Sequence, residues 1–454
     1  MNNWNNFHSD IFNELVERLG AASIRFFILR NYKELPNHNK SKDVDFVIDP
    51  HKISEANNII KDVFSQRFTH CYLVRYSYVY CWHGMDISNH NAIHIDFIAG
   101  YRMRGYEVFS FNELYTQTIN YKNFKVLNAL YEGLMVFIYK QFGYKKPIFK
   151  DEYKQLISET AKTYPEFKAQ LYKLLGKNLT NEEILAIDSN DFDKVISLAK
   201  RFTLKLKIYT LKKDLFNVFT RSLQFYIFKI NRLIISRRRY LKSIAVIAPD
   251  GAGKSTFIDE LVNEIGFFFL KEKEYSSIYH FRPNIFPNLG AIGEKVGTIK
   301  QDNDFSKPHR AKPANFLSSM VRITYYWIDY FLGWFILTTK DIQFDKFSIF
   351  DRYSFDFIVD PLRSRIKLPL WIRKAYVYSM PQPQIVFFLN ADPNEIYRRK
   401  QELETKEIIR QISEYKSLAS HDSKIISLNA NKPTSDITKE AIEIILNKFT
   451  KRLK

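Results

Sequence analysis

Cysteine is nearly absent: the 454 residues hold two, Cys71 and Cys81. Two thiols ten positions apart in a strand-like stretch make no disulfide framework. The opening MNNWNNFHSDIFNELVERLG lacks a basic segment followed by an apolar one. No export signal is therefore expected, and a reducing, cytoplasmic setting is. Glycine and proline are sparse, at 14 and 15, against 46% apolar residues; this excludes long disordered or collagen-like stretches and leaves a folded chain. No apolar run reaches the roughly 20 residues that a bilayer requires. The longest, ITYYWIDYFLGWFIL from Ile323 to Leu337, carries Asp329 near its centre and is expected to be a buried core helix.

What the chain has in excess is aromatic residues, 16%, and positive charge, a formal +19. The charge is uneven. Between Lys200 and Lys242 thirteen Lys/Arg stand against one acid, Asp214, a net +12. Apolar residues recur at helical spacing within it, as in LQFYIFKINRLIISRRRYLKS. A basic linker helix lying on its neighbours is expected. The partner its charge would suit is an anionic membrane surface, at the inner face of the membrane. Zinc-finger, RNP and helix-turn-helix patterns are missing, so no specific nucleic acid is expected. The oligomeric state is not legible.

The length suits two or three domains, and three zones follow from the pattern. Residues 1–120 mix a helical opening with strand-like runs (SIRFFIL, DVDFVID, CYLVRYSYVYCWH, AIHIDFIAG), an α+β pattern. Residues 121–242 are mostly helical. From 243 to 454 strands and helices alternate (SIAVIAP, YSSIYHF, KFSIFD, PQIVFFLN, SKIISLN), which predicts an α/β domain with a parallel sheet flanked by helices.

The last zone opens on IAVIAPDGAGKSTF, residues 244–257. A strand feeds a Gly-rich turn and then a helix, the P-loop arrangement in which backbone N–H groups converge on phosphate oxygens. Asp250, Gly251, Ala252, Gly253, Lys254, Ser255 and Thr256 form the candidate ATP-binding loop. Gly251 and Gly253 allow close approach, Lys254 supplies charge, and Ser255 can ligate Mg²⁺. Ala248 replaces the first glycine of the pattern, which is acceptable where φ is negative. A second strand ends at Asp351, able to reach Mg²⁺ or an attacking hydroxyl, and Arg352 follows as a phosphate grip.

The stretches APDGAGKST, DRY and FFLNADPNEIYRRKQELETKEIIRQISEYKSL together resemble the thymidylate kinase family of P-loop kinases over roughly 243–454. The resemblance implies an adenylate-type kinase fold, with ATP and Mg²⁺ as donor. It implies phosphate and Mg²⁺ binding by Lys254 and Ser255, and acidic and acceptor-side roles for Asp351 and Arg352. It further implies lid arginines at Arg398 and Arg399 and an acceptor-binding Arg282 in HFRP. After DRY the chain departs from the family: SFDFIVDPLRSR, with Asp356, Asp360, Arg363 and Arg365, replaces the segment that recognises thymine. Asp360 and Arg363 are therefore candidate acceptor-binding residues. HFRP, DRY and VDPLR together look closer to kinase-like proteins associated with bacterial surface-polysaccharide synthesis. A nucleoside monophosphate, a sugar or a sugar phosphate is the expected acceptor.

In SKDVDFVID, Asp43 and Asp45 are two apart on one strand and face the same way; AIHIDFI adds Asp96 on another. Three carboxylates on neighbouring strands can hold Mg²⁺ against a triphosphate. This arrangement resembles the nucleotidyltransferase fold over about residues 10–115. The Gly-Ser turn that the fold places before D-x-D is missing, with only Ser41 and Lys42 there. His94 is expected to be a structural hydrogen-bond donor. The leading expectation is a two-headed enzyme, a small-molecule kinase fused to a nucleotidyltransferase-like domain. Its alternatives are a nucleotidyltransferase with a regulatory P-loop domain, and a nucleotide-gated adaptor on a membrane surface.

Overall fold

The strand-like runs of the first hundred residues pair into one mixed sheet. Seven of its eight strands are β1 (Phe26–Ile28), β2 (Val44–Ile48), β3 (His70–Tyr76), β4 (Val79–Asp86), β5 (Asn91–Ala99), β6 (Thr118–Tyr121) and β7 (Phe124–Leu127). They lie in the order β3-β4-β5-β2-β1-β7-β6, with β2 parallel to β5 and β1 parallel to β7. CYLVRYSYVYCWH is a hairpin rather than one strand, turning at Ser77, whose φ is +60°. The β6–β7 hairpin was not expected; its two strands have four residues each, too short for alternation to stand out. This computed structural model describes all residues except 1–3, 40, 42, 144–147, 177–178, 271–274, 288–313, 402 and 454, so Lys42 lies outside the described residues. The chain divides into two units: Met1–Ile230 with Arg452–Lys454, and Asn231–Lys451.

In the first unit both faces of the sheet are covered. The helices Asn6–Ala21 and Ile53–Arg67 bury Phe12, Leu15, Ile60 and Phe64 with Phe46, Ile95 and Phe97 of the sheet. On the other face Val47 and Ile98 join Leu134, Phe137, Leu171 and Phe202 of the helical stretch that runs from Ala129 to Lys213. Side chains alternate along a strand, so Asp45 shares a face with Val47, and Asp96 with Ile98. The helices from 129 onward therefore pack on the sheet face that carries the carboxylates.

In the second unit β8 (Ser243–Ile247), β9 (Ser276–His280), β10 (Phe347–Asp351), β11 (Ile385–Asn390) and β12 (Ile425–Asn429) form a sheet of order β12-β11-β8-β10-β9, parallel throughout. All five residues of β8 are buried, as expected for the central strand of a parallel sheet with helices on its faces. The chain crosses from β8 toward β9 and β10 on one side and toward β11 and β12 on the other. Such a reversal opens a crevice at the carboxyl ends of β8, β10 and β11. The helix Phe316–Phe344 differs from the fully buried one expected. Ile323, Tyr326, Tyr330 and Trp334 face inward at helical spacing, while Leu332 and Ile336 remain exposed. Among the described residues no helix is long and apolar enough to cross a membrane.

Candidate functional site

Three segments meet at the carboxyl ends of the second unit's central strands. The loop after β8 turns on Gly251 and Gly253, with φ of +86° and +87°, a conformation that side chains resist. Ala248 is not among the positive-φ residues and is fully buried, so alanine serves there. A Cβ on Gly251 would come within 3.1 Å of the Ile396 carbonyl oxygen, so glycine also permits the close approach of the segment after β11. The helix Lys254–Phe268 starts directly after the turn, with Ser255 and Thr256 exposed in its first turn. Lys254 Nζ is buried, donates to the carbonyls of Ala248 at 3.2 Å and Pro249 at 3.1 Å, and lies 3.7 Å from Asp250. Burial, helped by repulsion from Arg352, pushes its pKa down to about 7 against the pull of Asp250, Asp351 and Asp356.

Asp250 ties this loop to the segment after β10. Its carboxylate accepts from both Arg352 and Arg363. Burial alone would raise its pKa, but Arg352, Lys254 and Arg363 hold it well below the usual carboxylate range. Arg352 also donates to Asp356 at 2.8 Å, and the Tyr415 hydroxyl donates to the other oxygen of Asp356 at 2.8 Å. Arg363 Nε reaches the buried Asp360 at 3.2 Å. Burial opposes the charge on Arg352, yet Asp356 and Asp250 more than offset it and raise its pKa. Arg352 has a φ of +69°, a left-handed conformation costing on the order of 1–3 kcal/mol for a residue with a side chain. Its ion pairs and the bond from its N–H to the Val246 carbonyl at 2.9 Å hold it there.

Asp351 stands at the register position facing Val246 on β8 and His280 on β9. One oxygen lies 3.2 Å from His280 Nδ1; the other is buried and has no hydrogen-bond partner among the described residues. The two lid candidates separate. Arg399 approaches within 3.9 Å of where a Cβ on Gly253 would stand, whereas Arg398 is mostly exposed and bonds Glu395 at 2.6 Å. Arg282 is buried, 3.3 Å from Asp329 and stacked over Tyr326. Asp329, the acid inside the long apolar run, also accepts from the N–H groups of Asn284 and Phe286 and so anchors the HFRP turn. Sequence reasoning gave no role to His280 or Tyr415, and named Asp356 only as part of the segment after DRY. His280 stands within HFRP, and its pairing with Asp351 could have been sought at the facing strand ends.

In the first unit Asp45 and Asp96 are register partners on β2 and β5, and oxygens of Asp43, Asp45 and Asp96 lie within 4.8 Å of one another. Asp45 is buried; burial, together with Asp43 and Asp96, pushes its pKa up to about 6 against Arg30, which donates to it at 2.7 Å. Ser41 donates to Asp43 at 2.5 Å. His94 bonds Asp96 at 2.8 Å and stacks on His83, and its ring lies with Cys81 and Asp96 in a second group whose ligand atoms are within 4.8 Å of one another. Sequence reasoning also missed Arg30, although it stands in LRNYKELP beside the first strand.

No family model and no curated protein matches the chain. Among solved structures, a thymidylate kinase from Ehrlichia chaffeensis is similar at 13% identity and a TM-score of 0.31, over 45% of this chain and 98% of that one. So distant a likeness leaves the site to be read from its own geometry.

Proposed function

We propose that the second unit is an ATP- and Mg²⁺-dependent phosphotransferase acting on a small acceptor. The observation that carries this reading is the convergence at one sheet edge of a glycine-turned loop, the buried Lys254 and the unpartnered Oδ1 of Asp351. That donor set suits a magnesium nucleotide: Ser255 and Asp351 would hold the metal, and the N–H groups from Gly251 to Thr256 would hold the phosphates. Bound Mg²⁺–ATP supplies the phosphoryl group and a divalent charge beside it. Lys254 supplies a cation at the loop. Its pKa near 7 means that an arriving anion completes its protonation. Asp351 would hold either the metal or the acceptor hydroxyl, and Arg399, which approaches Gly253 of the loop, is the lid candidate placed for the charge of transfer. Arg352 and Arg363 already sit on Asp250, Asp356 and Asp360, two cations against three carboxylates, so this balance leaves the acceptor side no spare positive charge. Among a nucleoside monophosphate, a sugar and a sugar phosphate, this balance favours recognition through hydroxyls, and hence a sugar. Mass spectrometry of a metabolite library incubated with the protein, ATP and Mg²⁺ tests the proposal. A phosphoryl mass gain that disappears in Lys254→Met is expected; equal gain in that variant would sink it.

We propose further that the first unit binds a metal–nucleotide at Asp43, Asp45 and Asp96, a reading supported by the convergence of their oxygens. In the same library a nucleotidyl mass gain would be its product, lost in Asp43→Asn/Asp45→Asn.

A further inference from the structure

The helix Leu215–Ile230 lies on its unit by one side only. On that side Val218 is buried, Arg221 pairs with Glu107 at 2.8 Å, Ser222 donates to the Arg104 carbonyl at 3.2 Å, and Phe228 lies under Arg75. The opposite side is the unusual one. Phe216, Phe219, Leu223, Tyr226, Ile227 and Ile230 are each at least half exposed, as is Leu215 at the helix start. At 3.6 residues per turn these seven side chains fall within one arc of about 120°. A helix whose apolar arc faces water is missing a partner.

We infer that this arc docks the protein on an anionic lipid bilayer, the helix lying in the plane of the interface. Charge argues for lipid over a protein groove or a second copy. From Leu215 to Tyr240 the chain carries six Lys/Arg and no acid; Arg221 is held by Glu107 and the buried Arg232 by Asp345, which leaves Lys229, Arg238 and Arg239 exposed to water. Lys212, one turn before the helix, and Lys229, near its end, are exposed beside the apolar arc. Two copies packed face to face through this helix would bring its exposed Lys229 toward its counterpart with no carboxylate on the helix to offset it, Arg221 being already held by Glu107. Length argues for lying on the membrane. Sixteen residues make a helix of about 24 Å, short of the roughly 30 Å hydrocarbon core. Rings and branched chains on one side with lysines at its flanks are the pattern of an interfacial helix.

The test is co-sedimentation of the full chain with vesicles of phosphatidylcholine alone and of phosphatidylcholine with 30% phosphatidylglycerol, at about 0.05 and 0.5 M NaCl. Binding to the anionic vesicles at low salt is expected, at least about tenfold weaker at high salt and on neutral vesicles. Phe216→Glu/Phe219→Glu should lower the partition coefficient about a hundredfold, since each ring kept out of lipid is worth roughly tenfold. Both positions are exposed, so circular dichroism should be unchanged. Lys212→Glu/Lys229→Glu should lower anionic binding without removing an apolar contact. The inference is overturned by absent vesicle binding, by equal binding to neutral vesicles, or by full binding of the Phe variant. A dimer in light scattering that the Phe variant splits, without vesicle binding, would show instead that the arc joins two copies.

Discussion

Replacing Lys254 by methionine should remove activity and raise stability together, an unusual pairing for a buried residue. The lysine's pKa falls from 10.5 to about 7 on folding. In the window between those values the unfolded chain holds more protons, so the wild-type protein gains stability as pH rises from 7 toward 10.5. Every tenfold loss of proton affinity is worth about 1.4 kcal/mol, so at pH 7.5 burial of this amine costs roughly 4 kcal/mol. Methionine fills a similar volume without that cost. It forfeits two hydrogen bonds, to Ala248 and Pro249, of about 1 kcal/mol each. The net expectation is a gain of about 2 kcal/mol at pH 7.5, or roughly 4–8 °C in a unit of this size, fading to nothing near pH 9. Calorimetry of the full chain reads this on the transition that Mg²⁺–ATP shifts in the wild type. ATP turnover should fall at least about a hundredfold. A variant less stable than wild type at pH 7.5, or one keeping the wild-type slope between pH 7 and 9, would refute the account of a lysine held under electrostatic strain.

Three other expectations rest on separate contacts. Arg399→Ala should lower ATP turnover by about 10²-fold, while Arg398→Ala, which loses only an exposed bond to Glu395, should stay within about twofold; equal losses would contradict the separation of the two side chains. Asp250→Asn and Arg363→Met should be coupled by about 1–3 kcal/mol in a double-mutant cycle on turnover, because each removes the same charge-assisted bond; additivity would mean that the bond does not operate in the working enzyme. Asp43→Asn/Asp45→Asn should abolish nucleotidyl transfer while ATP turnover by the second unit stays within about twofold; loss of turnover would show that the first unit's carboxylates serve the P-loop chemistry.

Legibility in the sequence followed distance along the chain. The loop from Asp250 to Thr256 could be read because its strand, glycines, lysine and helix are contiguous, and each residue's conformation is set by its neighbours. Strands β8, β10 and β11 of the second sheet were legible for a similar reason: each is a short apolar run bounded by turn residues, and a strand buried on both faces needs no alternation. The β6–β7 hairpin was not, because four-residue strands carry too little pattern and their pairing with β1 is non-local.

The acceptor side resisted sequence reasoning for a further reason, which bears on chemistry. In the sequence Arg352 reads as a phosphate grip, from its place after a strand beside the P-loop, and Arg363 as a candidate acceptor-binding residue. Asp250 is about a hundred residues away from both, so nothing local to either arginine signals that a carboxylate of the P-loop itself occupies them. The consequence is a linkage between the two halves of the site. Under the proposed function, a phosphate drawn onto the loop would lie beside Asp250, repel it, and weaken its hold on Arg352 and Arg363. Each arginine keeps a second acid, Asp356 or Asp360, so neither is left as an uncompensated buried charge when that happens. The proposed function therefore predicts that donor binding and the freedom of the acceptor-side arginines are coupled through one carboxylate, and that Asp250→Asn weakens that coupling while sparing the loop.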